Sequence, residues 1–160
     1  MYNPNSIATP PESPGQEKST STAAKLERLS AAVVNAHNAR DFSFQSEEAQ
    51  ELVAHLTHDW EGQFDTHSDQ THSYTWNEQV SAWKERAENY PRVHFQIVQT
   101  SSNVSEKYGW ARVYMDMEVS GIGELTLHAM NELRWKRVDG KWWLYYVLGM
   151  RGTPMNAGLP

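Results

Sequence analysis

The sequence predicts an α+β domain in which N-terminal helices pack on one face of a curved antiparallel sheet. Three observations predict it. Apolar residues recur at three- and four-residue steps before Pro91, they alternate with a period of two after it, and Asp139-Gly140 marks a tight hairpin late in the chain.

Residues Met1 to Thr20 hold Pro4, Pro10, Pro11 and Pro14, several Ser and Thr residues and one aromatic, Tyr2, so residues 1–20 are expected to form a disordered tail. Caps at Ser19 to Thr22 then open a helix that carries Leu26, Leu29, Val33 and Ala36 on one face and ends near His37 to Asp41. A second helix starts at Ser46, with Glu47 and Glu48 in its first turn, and runs through Leu52, Val53 and Leu56 to about His58. Asp59 to Phe64 reads as a short strand around Gly62, and Asp65 to Ser73 as a polar loop. Thr75 caps a third helix with Val80, Trp83 and Ala87 on one face, which stops at Tyr90-Pro91 because proline disfavours helix in the residue before it. Four strands follow, marked by Val93-Phe95-Ile97, Ala111-Val113-Met115-Met117, Leu125-Leu127-Ala129 and Trp142-Leu144-Tyr146-Leu148. The domain is set at 21–152, with 153–160 a short C-terminal tail.

The chain has 160 residues, 20 acidic against 14 basic, for a formal net charge of −6, and no cysteine. Disulfide scaffolds, cysteine nucleophiles and thiolate metal sites are thereby excluded. The absence of a basic run argues against a nucleic-acid partner. The longest uncharged apolar stretch, Trp142 to Met150, is too short for a bilayer, so no membrane partner is expected. The N-terminus shows no signal-peptide pattern, which predicts a cytoplasmic protein. No GxSxG, Walker A, HExxH or GxGxxG motif occurs.

His55, His58, Asp59, Asp65, His67, Asp69 and His72 crowd one stretch, but without standard ligand spacing. They are read as polar surface, and no metal is expected. The seven tryptophans and seven tyrosines point to a core, an apolar pocket or an interface. Alternation along Trp142-Trp143-Leu144-Tyr145-Tyr146 puts Trp142, Leu144 and Tyr146 on one face and Trp143, Tyr145 and Val147 on the other. Two apolar faces need two covering layers, which predicts a homodimer or higher homo-oligomer.

The order of a helix, Asn38-Ala39-Arg40-Asp41-Phe42, a helix, the Asp59-Trp60 strand, a helix ending in Tyr90-Pro91 and a meander closing in Asp139-Gly140-Lys141-Trp142 resembles the NTF2-like (SnoaL-like) superfamily over about Ala23 to Gly152. Within it, Val93-His94-Phe95, Tyr108-Gly109-Trp110 and the stretch Asn131 to Trp142 are most similar to fungal scytalone dehydratase. The resemblance implies a cone-shaped sheet around a deep apolar pocket, used for dehydration, isomerisation, cyclisation or epoxide opening without a cofactor. It places that enzyme's strand histidine on His94 and its pocket asparagine on Asn131, both retained in type. Its helix tyrosine and aspartate fall on His37 and Asn38, its second strand histidine on Met117 and a pocket tyrosine on Trp60, all four changed in type.

The residue-level reading gives His94 as general acid or base, with a histidine satisfied by backbone as the alternative. Asn131 is the donor to a substrate oxygen or else a bridge between strands. Asn38 joins them as a third catalytic candidate or serves as a helix cap. His37, Trp60, Phe64, Met115, Met117 and Tyr146 are the candidate substrate-binding residues, and Arg40 and Asp41 are read as an ion pair fixing the turn. The expected function is proton-transfer-driven isomerisation, dehydration or cyclisation of a hydrophobic, oxygenated small molecule, consistent with secondary-metabolite biosynthesis. Two alternatives stand beside it: a ligand-binding or assembly module of the same fold, and an epoxide-opening hydrolase using Asp59, Asp65 or Asp116. A register error of one residue would exchange the inward and outward sets.

Overall fold

A computed structural model of the chain describes residues 14–64 and 73–151, with side chains from residue 21 onward. The expected C-terminal tail, residues 1–13 of the N-terminal one and nearly all of the Asp65 to Ser73 loop lie outside the described residues. The elements run α1 (Pro14–Asn38), α2 (Glu47–Val53), β1 (Leu56–Phe64), β2 (Tyr74–Thr75), α3 (Trp76–Asn89), β3 (His94–Ser105), β4 (Trp110–Ser120), β5 (Leu127–Val138) and β6 (Lys141–Arg151). None of the described helices is long and apolar enough to cross a membrane.

Helix boundaries follow local chemistry. Ser46 caps α2 by accepting from the Ala49 amide, and Thr75 and Glu78 close a capping box on α3. Helix α1 begins at Pro14, inside the stretch assigned to the tail, and proline suits a first helical position. It ends in a Schellman arrangement: the Asp41 amide bonds Ala36 O and the Arg40 amide bonds His37 O, with Arg40 at φ 58°. Helix α2 stops at Val53, short of the expected His58, because Leu56 already pairs with Leu144 and starts β1 three residues before Asp59. His55, between the two, bonds the Trp142 carbonyl at 2.7 Å through Nδ1, and His58 is exposed on β1.

The six strands form one curled, unclosed sheet in the order β2-β1-β6-β5-β4-β3. Strands β3 to β6 are the expected antiparallel meander, with Asp139 (φ 51°) and Gly140 (φ 78°) making its last turn. Strand β1 runs parallel to β6, a departure from an all-antiparallel sheet that the helical connection through α3 permits. Ala111, Val113, Met115, Met117 and Val119 of β4 all face inward and are buried, as alternation requires. Against them pack Leu133 and Trp135 of β5, Leu144 and Val147 of β6, and Leu26, Leu29 and Ala32 of α1. Full burial of a leucine such as Leu26 or Leu29 contributes about 1.5–3 kcal/mol.

Two bulges re-aim the strands. On β6, Trp135 pairs with Leu144 and Arg134 with Tyr146, so Tyr145 is an extra residue without a partner. Beyond it the alternation is inverted. Val147 and Gly149 turn inward, while Tyr146, expected inside, stands on the outer face with its ring under the Arg134 guanidinium and its hydroxyl donating to Gln63. On β3 the register shifts between Ile97 and Gln99, and the intervening Val98 is exposed.

The buried Trp135 indole donates to Ser30 Oγ on α1 at 3.1 Å, joining helix to sheet through a wholly buried pair. Ser30→Ala strands that N–H and is expected to cost about 1–3 kcal/mol. Urea unfolding measures it, and the cost should shrink in a Trp135→Phe background, where no donor is left unpaired.

Candidate functional site

A cavity of about 100 Å³ lies between the inner face of β3 to β6 and helices α1 and α3. That is several times the space one water needs. Its walls are mostly apolar: Val33 and Val34 from α1, Trp83 from α3, Phe64 from β1, Phe95 from β3, Met117 and Val119 from β4, and Leu127 and Ala129 from β5. Ile122, in the turn after β4, adds to them. Three polar side chains interrupt these walls, His37, Arg86 and Asn131, and the cavity also borders His128, which alternates with the inward Leu127 and Ala129, and Arg151.

The end of α1 brings His37 here. Arg40, fixed in the left-handed region, donates to the carbonyls of His37, Pro91 and Val93 at 3.1, 3.0 and 2.6 Å. Its neighbour Asp41 accepts from the amides of Gln45 and Ser46, and these bonds hold its carboxyl below the usual range. The ion pair expected between Arg40 and Asp41 is thus replaced by two separate sets of backbone contacts. Asn38 accepts from the Phe95 amide at 2.9 Å and donates to the Phe95 carbonyl at 2.7 Å. Both ends of its carboxamide are engaged with edge strand β3, so Asn38 joins α1 to the sheet and presents nothing to the cavity.

His37 is buried, with its ring edge-on to Phe95 at 4.7 Å and to Phe42 at 5.6 Å. Its Nε2 lies 3.2 Å from Arg86 Nη2. A guanidinium only donates, so Nε2 is the acceptor and the neutral ring carries its proton on Nδ1. That nitrogen is buried without a hydrogen-bond partner. Burial, reinforced by the charges of Arg86 and Arg40, pushes the imidazole down to about 3. His37 is therefore a neutral donor at pH 7.

Arg86 sits one helical turn beyond Trp83, its guanidinium 4.8 Å above the Phe95 ring. Burial and the charge of Arg40 lower it to about 10. Its side chain makes one hydrogen bond among the described residues, to His37, and its Nε has none. Asn131 lies across the cavity on β5, in register with Met115 and Gly149. Its carboxamide bonds no described residue. Gly149 makes room for it: a Cβ there would fall 2.1 Å from the Phe64 ring and 3.1 Å from Asn131 Oδ1.

Of the residues read from the sequence, His37, Phe64, Met117 and Asn131 meet in this cavity. Met115 is buried in the core behind it, and Trp60 is buried with its ring against Trp76 at 5.0 Å. His94 is exposed, opposite Ser120, because Phe95 takes the inward place and alternation turns its neighbour out. Arg86 went unread, and His128, which alternation assigns to the outer face, borders the cavity from β5. The signal for Arg86 was a charge three residues after Trp83 and beside Ala87, within the apolar stripe of α3.

No family profile and no curated protein sequence matches the chain. Solved structures do. An NTF2-like protein of unknown function from Pseudomonas putida KT2440 matches at 11% identity, with 86% of this chain and 92% of that one covered and a TM-score of 0.62. Hexachlorocyclohexane dehydrochlorinase LinA-type3 from Novosphingobium barchaimii LL02 matches at 14% identity, with coverages of 92% and 99% and a TM-score of 0.62. A candidate scytalone dehydratase from Novosphingobium aromaticivorans DSM 12444 matches at 13% identity, with coverages of 91% and 93% and a TM-score of 0.55. The fold is the NTF2-like, or cystatin-like, one that the sequence resemblance implied.

The low pKa of His37 has a consequence for stability. The unfolded ring protonates near its ordinary value of about 6.5 while the folded one stays neutral to about 3. Its contribution is full above about pH 6.5 and falls as pH drops toward 3, by at most about 1.4 kcal/mol per pH unit. Urea unfolding at pH 7 and pH 5 should show this loss, and a His37→Gln variant should show a smaller one. Separately, Asn38→Ala should lower stability by about 1–3 kcal/mol at both pH values, since it frees the Phe95 amide and carbonyl.

Proposed function

We propose that this chain is a cofactor-independent enzyme of the isomerase or lyase type, which moves a proton on a small, largely apolar, oxygenated molecule held in the cavity. The observation that carries this reading is that Arg86 Nε and the Asn131 carboxamide have no hydrogen-bond partner among the described residues, in an otherwise apolar cavity. Polar groups left unpaired inside a protein are costly, and both residues line the cavity. A cation and an amide stabilise negative charge developing on a ligand oxygen as an enolate or alkoxide forms. His37 fixes the guanidinium and stays neutral, and the proton-accepting role is assigned to His128, which borders the cavity on β5 between Leu127 and Ala129. The reactions named for the dehydrochlorinase and candidate dehydratase of the same fold are eliminations, which supports this class. A substrate from secondary metabolism fits the apolar walls. The half-buried Trp143, Tyr145 and Tyr146 of the outer sheet face support a homodimer in which a second copy of the chain covers them.

One observation favours a second reading, a binding module without chemistry: no carboxylate among the described residues lines the cavity, and His37 is too weak a base to replace one. Epoxide opening has less support. Asp59 is exposed, Asp116 stands on the outer face of β4, and Asp65 lies outside the described residues.

Turnover of a panel of cyclic and aryl ketones and hydroxy-ketones, followed by product analysis and by deuterium uptake from heavy water, tests the enzyme reading. Arg86→Met and Asn131→Leu should each lower kcat by about a hundredfold while the fold persists by circular dichroism, and His94→Ala should leave it unchanged. Saturable binding with neither turnover nor deuterium uptake would overturn this reading in favour of the binding module. Sedimentation at micromolar concentration should show a dimer, and monomer alone would remove the second copy.

A further inference from the structure

The charges around the cavity narrow the ligand. Arg86 has no carboxylate partner among the described residues, and Arg40, near enough to depress both Arg86 and His37, is engaged only with backbone carbonyls. His37 adds a buried N–H donor with no acceptor. Elsewhere the described arginines in ion pairs meet glutamates: Arg28 with Glu51, Arg112 and Arg134 with Glu132, and Arg137 with Glu106. In a chain of net charge −6, the cavity is thus a local excess of positive charge and donors without a counter-ion among the described residues. A buried charge lacking its counter-ion is strongly unfavourable, and an entering anion relieves that cost.

We infer that the cavity binds a hydrophobic carboxylate, its carboxyl group paired with the Arg86 guanidinium and its apolar body against Met117, Val119, Ile122 and Leu127. The planar fork of an arginine matches a carboxylate, and pairing of this kind is short and strong. Nη2 gives one of its two hydrogens to His37, and the other hydrogens of the guanidinium are available to the anion. The walls set the rest of the ligand. Val119, Ile122 and Leu127 offer no polar side chain, so the part of the ligand that meets them is apolar. This assignment of substrate class rests on the reading of the cavity as the ligand site.

The test compares isosteres on the full chain. Phenylacetate and hexanoate are titrated against phenylacetamide and hexanamide by calorimetry and by quenching of tryptophan fluorescence, Trp83 being part of the wall. The carboxylates should bind at least about tenfold more tightly than their amides, and Arg86→Met should abolish the difference. Arg86→Lys, which keeps the charge without the fork, should retain part of it. The wild-type comparison needs no variant, so misfolding of Arg86→Met leaves the test intact. Equal binding of acid and amide overturns the carboxylate assignment while leaving the cavity as ligand site. No binding of any probe overturns the carboxylate assignment and the cavity reading together. Tight carboxylate binding without turnover of any carboxylate in a wider panel overturns the enzyme reading alone.

Discussion

One extra residue in the last strand decides what the cavity is made of. Were β6 regular, Tyr146 and Leu148 would face the helices, and two bulky side chains would occupy the space now left by Gly149. The unpaired Tyr145 inverts the alternation, so Val147 closes the core and Gly149 leaves a gap beside Asn131 and Phe64. The same inversion gives the outer face Tyr146, which completes a polar cluster there: Glu132 lies between Arg112 and Arg134, and Arg134 covers the tyrosine ring. Both faces of the sheet are thus consequences of a single register shift.

A second constraint orders the opposite wall. Helix α1 is held to edge strand β3 by Asn38 and to the chain entering that strand by Arg40, and both act on backbone atoms. Backbone contacts of this kind tolerate change in the side chains around them while fixing where the helix ends. His37 is the residue delivered by that ending, and the helix that faces it supplies Arg86. The cation–histidine pair therefore depends on two helices being placed independently against one strand, whose Phe95 touches both side chains.

What the sequence revealed and what it hid divide along a physical line. Features written in a few adjacent residues were legible: the Ser46 and Thr75 caps, the Asp139-Gly140 turn, and the uninterrupted alternation of β4 that put Met117 inward, with Asn131 in the matching series on β5. The bulges were not, because Val98 and Tyr145 differ little in character from their neighbours, and a tyrosine suits either face of a strand. The parallel pairing of β1 with β6 joins segments far apart in the chain and leaves no local trace. His94 is a different case. Its own neighbours, Val93, Phe95 and Ile97, already assigned it to the outer face, and the family resemblance argued the other way. Local periodicity was the better guide because it reports on this backbone, whereas a matched residue reports on another.

Gly149 carries one more implication. With a Cβ absent, the ring of Phe64 rests against bare backbone and the amide of Asn131 reaches past it. This position acts as a size gauge for the enclosure that is electrically silent: enlarging it by a methyl group or more would shorten the longest ligand admitted without altering any charge or donor. A protein that keeps the Arg86 anchor and varies position 149 would therefore sort molecules of one chemical class by length alone, a simple route by which selectivity can drift while the recognition chemistry stays in place.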